Sequence, residues 1–233
     1  MKKTIEILML SFLMLTGILG SNVYAGPHTG ATSNVGATAW NAQATINTPF
    51  YPITYWPSWS CNYTMIQNGF PNTWVQVGWS KENDNFYGQT LNGTYYFFQY
   101  NDPSLTQPYT VFSAVGPAVG SSHTYNTLLD ETNTYYGTVD NTTIASYPAG
   151  FWGSITEYSG EVSNVDLARF AGSTSNGLYM WNIYSSYKNG NTKVWTLNPV
   201  LNWAEQSSVG VLYKGSYIVG NPNASFNYWD TRN

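Results

Sequence analysis

Charge is the scarcest property of this 233-residue chain: Asp, Glu, Lys and Arg together make up 9% of it, against roughly 25% in an ordinary soluble domain. Eight Lys and Arg against twelve Asp and Glu leave a net charge of −4. That balance excludes the basic footprint of a nucleic-acid binder or of a protein held on an anionic membrane. A single cysteine, Cys61, excludes an internal disulfide. With no H-x-x-x-H or C-x-x-C pair, the ligand spacing of a zinc centre is missing, and no metal or other cofactor is called for. Of the two histidines, His28 falls in a segment expected to be flexible, so any Cys-His or Ser-His-Asp machine would have to rest on His123 alone. Helical periodicity is also missing. No stretch of ten or more residues repeats its apolar positions every 3.6 residues, apart from a short helical turn expected near Asn202 to Gln206.

What is present is aromatic and neutral. Twenty Tyr, ten Trp and ten Phe, within a hydrophobic content of 42%, exclude a disordered chain. Lys2 and Lys3, an apolar run from Ile7 to Leu19, and Val23-Tyr24-Ala25 read as a secretory signal over residues 1–25. The run is shorter than the ~20 residues of a membrane span, so an exported, soluble protein with no membrane attachment after cleavage is expected. Residues 26–39 are small, polar and Gly-rich and read as a flexible mature N-terminus. Residues 40–233 then form a single domain of short Tyr/Trp/Val/Thr segments, clearest at Trp74 to Trp79, Thr94 to Tyr100, Tyr135 to Val139, Ser154 to Glu161 and Val209 to Val219. Turn signals fall at Lys81 to Asp84, Asn101-Asp102-Pro103, Gly116-Pro117, Gly120-Ser121-Ser122 and Asn189-Gly190-Asn191. Strands at this spacing with no alternating helices predict an all-β, antiparallel two-sheet β-sandwich.

With so few carboxylates, each is conspicuous, and two stand together in Ile155-Thr156-Glu157-Tyr158-Ser159-Gly160-Glu161-Val162. On a strand, Ile155, Glu157, Ser159 and Glu161 share one face, with the two glutamates about 13 Å apart. They are too far apart to grip one reacting atom, so a partner must come from another strand. Gln76 is a candidate: Trp74, Gln76 and Gly78 share one face of their segment while Val75, Val77 and Trp79 share the other. A Gln on a packed aromatic surface needs a hydrogen-bond partner there; an ordinary solvent-facing Gln is the other reading of the same pattern.

Val75-Gln76-Val77-Gly78-Trp79, Tyr95-Tyr96-Phe97-Phe98-Gln99-Tyr100, Gly120-Ser121-Ser122-His123-Thr124-Tyr125, Tyr136-Gly137-Thr138-Val139-Asp140 and Thr156-Glu157-Tyr158-Ser159-Gly160-Glu161-Val162 resemble, in that order, the glutamic peptidases (eqolisins) and the related neprosin-like peptidases. The resemblance spans about residues 45 to 175. It implies a sandwich of the concanavalin-lectin jelly-roll type and a catalytic Gln/Glu pair on different strands of one concave sheet. Gln76 matches the x-Q-x-G segment that carries the Gln, whereas the neprosin-like branch has Glu there. Glu161 is taken as the second catalytic residue and Glu157 as its alternative. Trp74, Tyr96, Phe98, Gln99 and Tyr100 are the implied substrate-cleft residues. Two departures stand out: Gln99 occupies a place where eqolisins carry an acidic residue, and the family's frequent disulfide cannot form. The implied activity is acid-active endopeptidase action on a polypeptide substrate by a secreted monomer, with Glu161 activating a water and Gln76 donating to the oxyanion.

Two rival readings come from the same residues. A concave sheet lined by Trp74, Tyr96, Phe98, Tyr100 or Trp152 could stack on sugar rings in a non-enzymatic binding module for carbohydrate or another cell-surface ligand, because fold alone does not decide between binding and hydrolysis. A secreted structural or self-associating protein is the third. Few ionisable groups also mean little charge gained as pH falls, a composition suited to acid whatever the activity.

Overall fold

The strict alternation legible at Trp74 to Trp79 is the rule that builds the molecule. The computed structural model describes residues 27–69, 73–86, 88–164, 166–173, 175–189, 192–197, 202–206, 214–219 and 225–233. The segment expected as a leader, most of the Asn189-Gly190-Asn191 turn and residues 209–213 lie outside these. Among the described residues every regular element is a β-strand. The first sheet contains β1 (His28–Asn34), β3 (Ser58–Gln67), β4 (Trp74–Phe86), β5 (Gln89–Asn101), β6 (Tyr109–Phe112), β10 (Ile155–Val162) and β13 (Asn202–Gln206), in the order β13-β1-β10-β3-β4-β5-β6. The second contains β2 (Ala39–Asn47), β7 (Ser122–Leu129), β8 (Thr134–Val139), β9 (Thr142–Pro148), β11 (Leu178–Asn189), β14 (Lys214–Val219) and β15 (Ser225–Asp230), in the order β14-β15-β11-β2-β7-β8-β9. A further strand, β12 (Thr192–Leu197), pairs with β11. All pairings are antiparallel, and the two sheets stack as the expected sandwich.

Inward side chains of both sheets interdigitate in one core that includes Val75, Val77, Trp79, Phe98, Tyr100, Tyr125, Tyr135, Tyr158 and Tyr228. The Thr and Ser of this composition join it as neutral latches between sheets. Thr64 and Thr127 hydroxyls lie 3.1 Å apart, Thr156 and Ser185 hydroxyls 2.9 Å apart, and the Tyr228 hydroxyl donates to Asn62 Oδ1. A second, smaller apolar cluster, Cys61, Tyr63, Met65 and Phe97 with Trp59, Trp74 and Phe112 against it, covers the outer face of the first sheet.

Three local expectations are corrected. Residues 28–34 are not a flexible N-terminus: they form β1, clamped between β10 and β13, with Thr29 and Ala31 fully buried. Their small size, which reads as flexibility, is what lets them fit a closely approached sheet; a Cβ on Gly30 would lie 2.1 Å from the Tyr158 carbonyl oxygen. Asn202–Gln206 is strand β13, paired along β1, so tertiary pairing overrides a local helical leaning. Lys81 to Asp84 is not a turn, because β4 and β5 remain paired out to Phe86 and Gln89, and the charged residues decorate a long hairpin.

Candidate active site

Cross-strand register assembles the site. On the outer face of the first sheet one row of paired residues reads Thr32 (β1), Glu157 (β10), Met65 (β3), Gln76 (β4), Gln99 (β5) and Thr110 (β6). Gln76 and Glu157 therefore sit level with one another, two strands and roughly 10 Å apart at the backbone, with Met65 between them. β4 can approach β3 so closely here because residue 78 is glycine; a Cβ on Gly78 would stand 1.9 Å from the Asn62 carbonyl oxygen.

Both polar side chains are buried and held. Gln76, 5% exposed, donates from Nε2 to Gln99 Oε1 at 2.7 Å. An amide carries two N–H donors, so the other remains for a ligand. Glu157, 2% exposed, accepts from Tyr63 OH (3.2 Å) and Ser159 Oγ (2.7 Å) at Oε1 and from Gln67 Nε2 (2.5 Å) at Oε2. All three partners donate, which is the environment of a carboxylate. His28 Nε2 stands 4.0 Å from the same Oε1. The signal that could have found His28 is its spacing from Thr32, two steps of an alternating strand, but only if the segment had been read as a strand.

The structure does not bring Glu161 to Gln76. Like Glu157 it is separated from Gln76 by β3, but it lies two rows along, level with Cys61 and Ser80, roughly 16 Å from Gln76 at the backbone. It and Glu82 both act on Cys61. Burial pushes the Glu82 carboxyl up to about 7, Asp84 adds to this, and Ser80 and Lys81 oppose it. The Cys61 thiol is raised well above its ordinary value, first by burial and then by Glu161 and Glu82. The Tyr63 phenol is raised likewise, first by burial and then by Glu157 and Glu161.

Of the cleft residues expected from sequence, Trp74 and Gln99 lie on the Gln76 face. Tyr96, Phe98 and Tyr100 do not, because the alternation that aligns Gln99 with Gln76 turns them inward, and Phe98 and Tyr100 are fully buried in the main core. Phe97 takes their place, beside Phe112 from β6. Trp152, 57% exposed, is also elsewhere, lining a cavity at the end of the second sheet with Trp40, Asp130, Glu131 and Lys188.

His123 makes a Ser-His-Asp chain of contacts, Nε2 to Ser121 Oγ at 2.9 Å and Nδ1 to Asp140 Oδ2 at 2.6 Å. The Ser121 hydroxyl, however, donates to the Ala118 carbonyl at 2.6 Å. Its one proton is thus directed at a backbone carbonyl and away from the ring, unlike that of an activated nucleophile. The arrangement is a clasp tying the loop before β7 to the turn after β8. Although partial burial opposes it, hydrogen bonds from His123 and the Thr124 amide hold the Asp140 carboxyl below its ordinary value. Among the described residues no group of three or more His, Cys, Asp or Glu is arranged to hold a metal ion.

No protein-family model matches the chain, and no curated protein matches it in sequence. Solved structures do match in fold. A scytalidoglutamic peptidase crystallised with a peptide-based transition-state analogue aligns over 90% of this chain and 100% of its own, with a TM-score of 0.55 and 11% identity. SCP-B, a member of the eqolisin family crystallised with the tripeptide Ala-Ile-His, aligns over the same shares with a TM-score of 0.53 and 12% identity. At these identities the likeness is one of fold.

Proposed function

We propose that this chain is an exported, acid-active endopeptidase of the glutamic type, hydrolysing peptide bonds of a polypeptide with Gln76 and Glu157 as its catalytic pair. The observation that carries the reading is the shared row: Gln76, steadied by its neighbour Gln99, and the row's one Glu, Glu157, held level on the outer face of a sandwich that matches solved glutamic peptidases in fold. Glu157 is preferred to Glu161 in this reading because the register sets Glu157, and not Glu161, level with Gln76.

In this reading a peptide lies across the row above Met65. The Glu157 carboxylate takes a proton from a water as its oxygen attacks the scissile carbonyl carbon, and returns that proton to the amine as the C–N bond breaks. The second amide N–H of Gln76 donates to the developing oxyanion. Trp74, Phe97 and Phe112 supply the apolar wall. The composition, short of ionisable groups, supports work in acid.

The test is cleavage of acid-denatured haemoglobin from pH 2 to 7 by the purified protein and two variants. Glu157→Gln abolishes cleavage while leaving the fold intact, and Glu161→Gln retains it. Loss with Glu161→Gln and activity with Glu157→Gln would return the role to Glu161; a protein that cleaves nothing but is retained on a polysaccharide column would make it a binding module.

A further inference from the structure

The loop leading into β10 exposes an indole that has no part in the row of Gln76 and Glu157. Trp152 stands at the mouth of a cavity of about 170 Å³ at the end of the second sheet. Trp40 and Leu129, both members of the main core, form its apolar side. Its polar side comes from the turn between β7 and β8, with Asp130, Glu131 and Asn133, and from Lys188 near the end of β11. These groups differ in how far they are already committed. The Asp130 carboxylate accepts from the Thr132 and Thr134 amides and from the Thr132 hydroxyl, and so belongs to the turn. Among the described residues the Glu131 and Asn133 side chains make no hydrogen bond, and the Lys188 ammonium has no carboxylate partner, lying 5.6 Å over the Trp40 ring. The walls are also fixed in advance. Tyr135 OH donates to the Phe151 carbonyl at 3.3 Å and accepts from the Gly153 amide at 3.5 Å, clamping the backbone on both sides of Trp152. The Gly153 carbonyl accepts from the Ala39 amide at 2.7 Å, and the Thr38 carbonyl from the Lys188 amide at 2.9 Å. A site set in this way gives up little freedom when it binds.

We propose that this cavity is a carbohydrate subsite that takes one neutral pyranose ring of a glycan, with a face of the sugar on Trp152 and its hydroxyls bonded to Glu131, Asn133 and Lys188. A flat exposed indole beside an uncommitted carboxylate, amide and ammonium fits a ligand that is apolar on its faces and hydroxylated around its edge. A sugar hydroxyl donates to Glu131, accepts from Lys188 and does either with Asn133. A hydrocarbon would leave those polar groups unmet. The charges not already bonded, Lys188 and Glu131, are one of each sign, so a charged ligand would meet its own sign on one side. The cavity is built on β2, β7 and β11 of the second sheet, whereas the Gln76 row lies on the outer face of the first. A glycan held here leaves that row open, and the inference stands whether or not the row hydrolyses peptides.

The experiment follows the indole N–H signals of the purified protein by NMR as cellohexaose, xylohexaose, mannohexaose or chitohexaose is added to about 10 mM, because a single ring at ordinary ligand efficiency binds with roughly millimolar affinity. The signal absent from the spectrum of Trp152→Ala is that of Trp152, and it shifts with at least one of these neutral sugars. By calorimetry Trp152→Ala binds that sugar at least about tenfold more weakly, the usual cost of removing a stacking platform. Glu131→Ala, at an exposed turn residue, weakens it about tenfold through the lost charge-assisted hydrogen bond, and gives the reading should Trp152→Ala not fold. No shift with any of the four sugars overturns the proposal. A sugar that wild type and both variants bind alike sits elsewhere and overturns it too. A Trp152 signal moved by hexaglycine and by none of the sugars would make the cavity a peptide site instead, and the carbohydrate assignment would fall.

Discussion

At Gln76 one amide hydrogen is committed to Gln99, so the orientation of the whole amide depends on a residue that never needs to touch substrate. Two predictions belong here. Gln76→Ala reduces kcat on a denatured-protein substrate by about two to three orders of magnitude, the usual consequence of removing an oxyanion donor. Gln99→Leu leaves a buried N–H without its acceptor and lets the amide turn. An unmet polar group costs roughly 1–3 kcal/mol, and kcat falls about tenfold or more while the protein stays folded by circular dichroism. A normal kcat in Gln99→Leu would show that the Gln76 amide is held by something else. Cys61 makes a useful contrast: its thiol is buried and raised by burial, Glu161 and Glu82, so thiol reagents leave activity unchanged at acid pH.

Strands explain why the sequence showed some of this and hid the rest. Period-two alternation made the faces of β4 and β10 legible, and with them the candidacy of Gln76, Glu157 and Glu161, because each pattern lies within one segment. Which glutamate stands level with Gln76 was not legible. That depends on the register of β10 against β3 and of β3 against β4, a property of three segments together. The face of β5 was misjudged for a related reason. Tyr95 to Tyr100 is aromatic on both sides, and without the pairing of Gln99 to Gln76 nothing marks which half points inward. β1 was hidden differently, since Thr29, Ala31 and Ser33 are inward residues too small to give a hydrophobic signal. The close approach of β3 and β4 supplies the prediction at this scale. Gly78→Ala places a methyl against the Asn62 carbonyl and lowers Tm by about 2–12 °C, from an overpacking cost of roughly 1–3 kcal/mol. A scanning-calorimetry trace matching wild type would mean that the two strands part without penalty.

The whole molecule is latched mostly by neutral groups, so its response to pH should come from few sites, and Glu82 is the clearest. Its folded carboxyl is raised from 4.5 to about 7. A raised folded value favours the protonated form in the fold. The contribution to stability is therefore complete below about pH 4.5 and is lost as pH rises through about 7, an amount on the order of 3 kcal/mol. Urea midpoints should fall between pH 5 and 8, and Glu82→Gln should flatten that slope; an unchanged slope would place the pH response elsewhere. Topology adds a consequence in time. β1 has no partner until β10 and β13 exist, and more than a hundred residues separate it from the first of them. At about 5–20 residues per second of synthesis, residues 28–34 wait unpaired for roughly 5 to 25 s. During that interval the small, uncharged, Gly-containing sequence that looked like a linker is an advantage, because an apolar strand left open so long would seek the wrong neighbour.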